Sequence, residues 1–193
     1  MDYMSSGLNT RYIAHRFLKE QVHPGAFCID ATAGRGRDTL LLCQLAGETG
    51  RVLAFDIQPE AVESTRALLA ENGASHLSQV ILDSHSNMDR YAGPETVDCI
   101  VFNFGWLPGG DHTLHTRTET SLEALEKGLK LLKPGGVMSL SLYYGKETGF
   151  EEKDAILEYL RTIDSRQYTV VVSSFANRPN CPPIAVCIWR DPL

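Results

Sequence analysis

Short apolar runs, several of them closed by an acidic residue, alternate along this chain with stretches in which apolar residues recur every three or four positions. The first pattern has the period of a strand and the second that of a helix. Reading the chain this way predicts strands near 26–30, 51–56, 78–82, 97–103, 136–143, 167–175 and 184–190. Helices are predicted near 38–46, 59–72, 118–132 and 151–162. An amphipathic helix over about Thr10 to Gln21 comes first and stops before the turn His23-Pro24-Gly25. Such alternation predicts a doubly wound α/β sheet, mostly parallel, with right-handed crossovers and an antiparallel C-terminal strand. Local end signals agree with these bounds. Pro59 sits at a first helical position, Thr116 with Glu119 and Thr120 with Glu123 form overlapping capping boxes, and Lys133-Pro134-Gly135-Gly136 ends the fourth of those helices and turns into the next strand.

The strand Phe27-Cys28-Ile29-Asp30 runs into Ala31-Thr32-Ala33-Gly34-Arg35-Gly36 and then opens a helix. A G-x-G turn lets backbone approach a ligand without a Cβ clash, and the helix start offers unpaired N–H groups. Thr39 stands where a dinucleotide loop has its third glycine, which weighs against NAD, although a dehydrogenase remains an alternative on the glycines alone. The next strand ends at Asp56, about 20 residues past the second glycine, where a carboxylate holds ribose hydroxyls. A third ends at Asp83. Three successive strand-end acids favour a cationic cofactor without a pyrophosphate, S-adenosylmethionine, with Asp30, Gly34 and Gly36 seating its methionine part, Asp56 its ribose and Asp83 its adenine.

The strand ending Val101-Phe102 leads into Asn103-Phe104-Gly105-Trp106-Leu107-Pro108-Gly109-Gly110-Asp111-His112. Asn103 followed by Trp106 has the logic of the Asn-Pro-Pro-aromatic loop of amino-group methyltransferases, without its two prolines. An amide oxygen accepts from the target amine and an aromatic face stacks on a base. Asp111 or His112 is placed to take the amine proton. The alternative is that Asn103 caps the strand and Trp106 fills the core. His112 and His115 have no third clustered ligand, so no metal site is expected. His85 falls at an adenine edge or in a surface turn. Tyr144 and Lys146, leaving the fifth of these strands, are candidates for substrate contact or ordinary strand-end residues, and Asn177 to Pro183 form a stiff loop able to shape a substrate mouth.

At 193 residues and 43% hydrophobic content the chain is long enough for one domain with a substantial core, taken as 1–193. No apolar stretch reaches the roughly 18 residues that span a bilayer, and the N-terminus lacks an apolar signal region, so a cytoplasmic protein without a membrane partner is expected. Five cysteines include no C-x-x-C pair and read as reduced thiols. A formal charge of −6 argues against generic electrostatic RNA binding but leaves room for a local basic patch. Arg11, Arg16 and Lys19 share a face of the first helix, and Arg35 and Arg37 flank the glycine loop. Taken singly, each is equally a solvated surface charge.

The chain resembles a known family, the small class I methyltransferases called YtqB or MnmM-like and described as rRNA methylases. The resemblance covers nearly the whole chain. It is carried by Ala14-His15, Asp30-Ala31-Thr32 with Gly34-x-Gly36-x-Asp38-Thr39, Asp83-Ser84-His85, the string from Phe102 to Asp111, Thr116 to Thr120, Tyr144 with Gly149 and Glu152, and Asn180-x-Pro182-Pro183. It implies a Rossmann-like sheet binding S-adenosylmethionine, with Thr32, Asp38, Thr39, Ser84 and His85 added to the cofactor set and His15 to the substrate set. It further implies methylation of the exocyclic amine of 5-aminomethyluridine, with or without 2-thiolation, at the wobble position in the anticodon region of tRNA. Arg35 and Arg37 stand where the family has Asn, Trp106 where it has Tyr, His112 where it has Lys, and Lys146 where it has His. Alternatives are methylation of rRNA, of a small-molecule amine or of a protein amine, and a noncatalytic domain that keeps the cofactor pocket. A homodimer is one way for so small an enzyme to extend its RNA surface.

Overall fold

A computed structural model describes residues 8–105, 116–145 and 149–192. Helix α1 (Thr10–Gln21) is followed by β1 (Phe27–Asp30), α2 (Arg37–Ala46), β2 (Arg51–Asp56), α3 (Pro59–Glu71), β3 (Ser78–Leu82), β4 (Val97–Phe104), α4 (Thr118–Leu131), β5 (Leu132–Leu142), α5 (Phe150–Thr162), β6 (Tyr168–Ser173) and β7 (Ile184–Arg190). The strands form one sheet in the order β3-β2-β1-β4-β5-β7-β6. Every pairing from β3 to β5 is parallel, and β7 lies antiparallel between β5 and β6. The strand order turns back at β1 and β4, so a crevice opens at their carboxyl ends, which is where open α/β sheets bind ligands.

Period-two alternation sorts the strand side chains into two layers. Ile29, Phe55, Ile100, Phe102 and Leu140 pack with α4 and α5 residues such as Leu125 and Ile156. Cys28, Val52, Cys99 and Val101 pack with Phe17 and Leu18 of α1 and Leu42 of α2 on the other face. Burying each such large side chain contributes about 1.5–3 kcal/mol, which is why helices cover both faces of the parallel part. No helix among the described residues is long and apolar enough to cross a membrane. The cysteines are free thiols, and all but Cys181 are buried.

Two local expectations are corrected. Strand β5 begins at Leu132, with Lys133-Pro134-Gly135-Gly136 inside it: Val97 pairs with Leu132 and Cys99 with Val137, so the tetrapeptide bulges out of the ladder. The capping boxes do not form either. The N-cap of α4 is Arg117 with no side-chain cap bond, and the Thr120 hydroxyl donates to the Arg117 carbonyl oxygen. Thr116 instead serves a buried tertiary partner described below. A segment His85–Arg90 is a run of 3-10 helix that the apolar pattern did not announce.

Candidate active site

The carboxyl ends of β1 and β4 bring together four side chains that lie far apart in the sequence. Asp38, in the first turn of α2, accepts from His15 Nε2 of α1 at 2.6 Å and from Asn103 Nδ2 of β4 at 2.8 Å. The Asn103 backbone N–H donates to Thr32 Oγ1 at 2.7 Å. Burial alone would raise the Asp38 pKa, but the hydrogen bonds from His15 and Asn103 and the charges of His15 and Arg11 outweigh it and hold the carboxyl below its ordinary value. An ionised carboxylate only accepts, so Asn103 must turn its NH2 toward Asp38 and keeps its Oδ1 as an acceptor. For the same reason His15 donates to Asp38 through an Nε2–H. Thr32 and Asp38, expected among the cofactor residues, hold the Asn103 backbone and amide, and His15 joins them at Asp38.

The glycine loop is held from within. Gly34 N–H donates to Asp56 Oδ2 at 2.9 Å, and Asp56 Oδ1 accepts from Gln58 N–H at 3.0 Å at the start of α3. Gly36 is buried with φ +78, and a Cβ there would meet the Thr65 Cα at 2.9 Å. Its glycine therefore serves the left-handed turn and the close approach of α3. Asp30 and Thr39 are both fully buried, with the Thr39 hydroxyl donating to Asp30 Oδ2 at 2.6 Å and Thr32 N–H donating to Oδ1 at 3.2 Å. Neither offers surface to a cofactor. The Thr39 hydroxyl thus serves Asp30. Burial, with the nearby Asp38 charge, pushes the Asp30 pKa up to about 7.

At the end of β3, Asp83 accepts from Ser84 N–H, Asn87 Nδ2 and Tyr91 Oη at 2.7, 2.7 and 2.9 Å. Led by the Asn87 bond, these donors hold its carboxyl below the ordinary range. Ser84 caps the short 3-10 helix by accepting from Ser86 N–H. His85 is not in a surface turn: it is buried in the short 3-10 helix. Its ring lies edge-on to Phe102 and Phe104, 6.1 Å from each centroid, with Nε2 buried and unpaired, and burial lowers its pKa to about 4. An aromatic core accepts a neutral imidazole there.

Against this geometry, a sequence profile of the family described as "Putative rRNA methylase" matches residues 52–189. The chain belongs to this family. Its sheet order and its family make this rRNA methylase relative a class I S-adenosylmethionine-dependent methyltransferase. The chain is 42% identical to a putative rRNA-methylase from Clostridium thermocellum, with a TM-score of 0.92 over 95% of this chain and 98% of that one. It is 33% identical to a putative methyltransferase from Streptococcus mutans in complex with SAH, with a TM-score of 0.86 over the same shares of the two chains. It is also 33% identical over 189 residues to the chloroplastic tRNA (mnm(5)s(2)U34)-methyltransferase of Arabidopsis thaliana, a match spanning 93% of this chain and 69% of that protein.

In this methylase the residues suit a cationic, ribose-bearing cofactor. Asp56 and Asp83 are partly exposed carboxylates on neighbouring strand ends, each oriented by neutral N–H or O–H donors with further lone pairs to offer. The alternation of side chains as β5 ends sends the two adjacent tyrosines in different directions. Tyr144 turns toward α5, with its ring 5.5 Å from Phe150 and beneath Lys153. Tyr143 faces the crevice, where burial and then the Asp38 charge raise its pKa. Gly105, at φ +135, permits this approach, since a Cβ there would meet Tyr143 Cβ at 2.8 Å. Trp106, Asp111, His112 and Lys146 lie outside the described residues.

One supporting residue entered the sequence reading only as a carrier of the family resemblance, with no role assigned. Glu152 of α5, 5% exposed, accepts from the Thr116 hydroxyl at 2.7 Å and the Ser121 hydroxyl at 2.6 Å. Thr116 in turn pairs its backbone N–H with the Gly105 carbonyl and accepts from Gly105 N–H. Glu152 thereby ties α4 and α5 to the end of β4 that carries Asn103. Glu152→Ala strands two hydroxyls and is expected to cost about 2–3 kcal/mol in urea unfolding, with Glu152→Gln less damaging. A loss below about 0.5 kcal/mol would show the network to be energetically idle.

Proposed function

We propose that this chain methylates RNA at nitrogen, and that its target is the exocyclic amine of 5-aminomethyluridine, with or without 2-thiolation, at the tRNA wobble position. The observation that carries the reading is Asn103, fixed at its backbone by Thr32 and at its NH2 by Asp38 so that Oδ1 remains for an incoming amine. The likeness to the chloroplastic tRNA methyltransferase supports the substrate class.

S-adenosylmethionine, when bound, supplies an electrophilic methyl group to the amine nitrogen. Asp56, Asp83 and Ser84 hold the cofactor, and Asp30 contributes negative potential from beneath the loop. Asn103 Oδ1 accepts an amine N–H and thereby aims the nitrogen lone pair. Asp38 keeps Asn103 and His15 in register, and His15 Nδ1 takes the proton that the amine loses. The gain is mainly in positioning, since no covalent intermediate is needed.

The test is methyl transfer from labelled cofactor to tRNA carrying unmethylated 5-aminomethyluridine, with nucleoside mass spectrometry. The methylaminomethyl nucleoside is the expected product. Label that survives ribonuclease treatment of the substrate mixture would move the target to a small or protein amine.

A further inference from the structure

Beside the Asp38 cluster, between the start of α1 and the connection from β6 to β7, lies a cavity of about 290 Å3. Tyr143, Phe175 and Pro182 give it flat apolar walls, and Arg11 and Arg178 give it positive charge. The strand-end acids and the glycine loop do not line it, so it is separate from the proposed cofactor residues. Two of its lining residues, Arg11 and Tyr143, interact electrostatically with Asp38 of the catalytic cluster.

The outer wall is built stiff. The Arg178 guanidinium lies 4.0 Å from the Phe175 ring centroid, which turns a flexible cation into a flat, fixed one. Asn180 and Cys181 both hold positive φ, at 64° and 52°, and Pro182 and Pro183 follow with restricted φ. Consecutive left-handed residues other than glycine cost about 1–2 kcal/mol each and persist where the surroundings impose them. Here the Thr10 hydroxyl pins the segment to α1 by donating to the Pro183 carbonyl at 2.5 Å.

We infer that this cavity seats the target pyrimidine nucleotide of the RNA, flipped out of its strand, with its base against the Tyr143, Phe175 and Pro182 walls and its phosphate toward Arg11 and Arg178. The inference rests on the RNA reading above and adds the subsite that holds the substrate. The volume is at the small end of the roughly 300–1,000 Å3 of ligand sites, which suits one nucleotide. The combination of stacking planes with guanidinium groups matches the way unstacked RNA bases and their phosphates are held.

The test measures binding of fluorescent anticodon stem-loop RNA to the full chain saturated with S-adenosylhomocysteine, for wild type, Phe175→Ala, Phe175→Trp and Arg178→Ala. Phe175→Ala and Arg178→Ala are each expected to weaken RNA binding at least about tenfold, with cofactor affinity by calorimetry unchanged. Phe175→Trp restores binding, and Arg178→Ala alone flattens the salt dependence by about one unit of slope. On RNA abasic at the wobble position, Phe175→Ala binds like wild type. If wild type binds and methylates RNA but both alanine variants keep its affinity within twofold, or if abasic and intact RNA bind wild type alike, the subsite is wrong and the RNA reading stands. If wild type neither binds nor methylates RNA, the RNA reading falls and takes the subsite with it.

Discussion

Replacing Asn103 by alanine lowers methyl transfer by about 10²–10³-fold and leaves the affinity for S-adenosylmethionine within about twofold of wild type. The split follows from the geometry. Asn103 is fixed through Thr32 and Asp38, two groups that position it, and its Oδ1 is the atom proposed to meet the amine. His15→Ala removes the proposed proton acceptor and its tie to Asp38. Its rate should recover as pH rises, because the amine then loses its proton to solvent without help. Calorimetry for the cofactor and single-turnover kinetics for transfer separate the two terms. If Asn103→Ala turned over like wild type, the catalytic assignment at the end of β4 would be wrong.

The second large effect concerns Asp30, and it has opposite signs on stability and on cofactor binding. Its pKa in the folded chain is about 7, raised by burial and by Asp38 from an ordinary value of 3.8. Below the unfolded value both states hold the proton and Asp30 brings no penalty. As pH rises from the unfolded value to the folded one, ionisation of the unfolded chain drains stability, and the loss levels off at on the order of 4 kcal/mol above about pH 7. Asp30→Asn is therefore expected to melt higher than wild type at pH 8, with the two curves converging toward pH 4. The Thr39 hydroxyl, which can also accept, keeps a bond to the new amide. At pH 8 the same variant should bind S-adenosylmethionine about tenfold more weakly, since a buried negative charge near a cationic ligand is lost. Wild type should release protons on binding near pH 7, read as a dependence of calorimetric heat on buffer ionisation. A melting difference constant from pH 5 to 8 would show that Asp30 does not titrate in this range.

Asp30 also marks the limit of what the sequence conveys. An acid at a strand end before a glycine turn is read from the sequence as part of a cofactor site. Its complete burial depends on Thr39 folding back over it and on Asp38 sitting beside it, and no local pattern encodes that. His15 and Asp38 are separated by 23 residues and Asn103 and Asp38 by 65, so their hydrogen bonds exist only once α1, α2 and β4 have docked. Tyr143 and Tyr144 are adjacent and chemically equal in the sequence. Which one faces the crevice is set by the phase in which β5 leaves the sheet.

The capping boxes show the reverse error. Thr116 has the right residue at the right spacing, yet a buried carboxylate from α5 offers its hydroxyl a stronger partner than a helix N–H exposed to water. The sequence by itself determined the alternation of strands and helices, the parallel sheet with its antiparallel C-terminal strand, and the row of acids at one sheet edge. Those follow from periodicity and turn chemistry, which act over a few residues. The tertiary structure alone decided which of those acids is buried and which is open, which side chains converge on Asp38, and where the cavity beside them lies. Those outcomes depend on docking between segments distant in the chain, where burial and charge act through space.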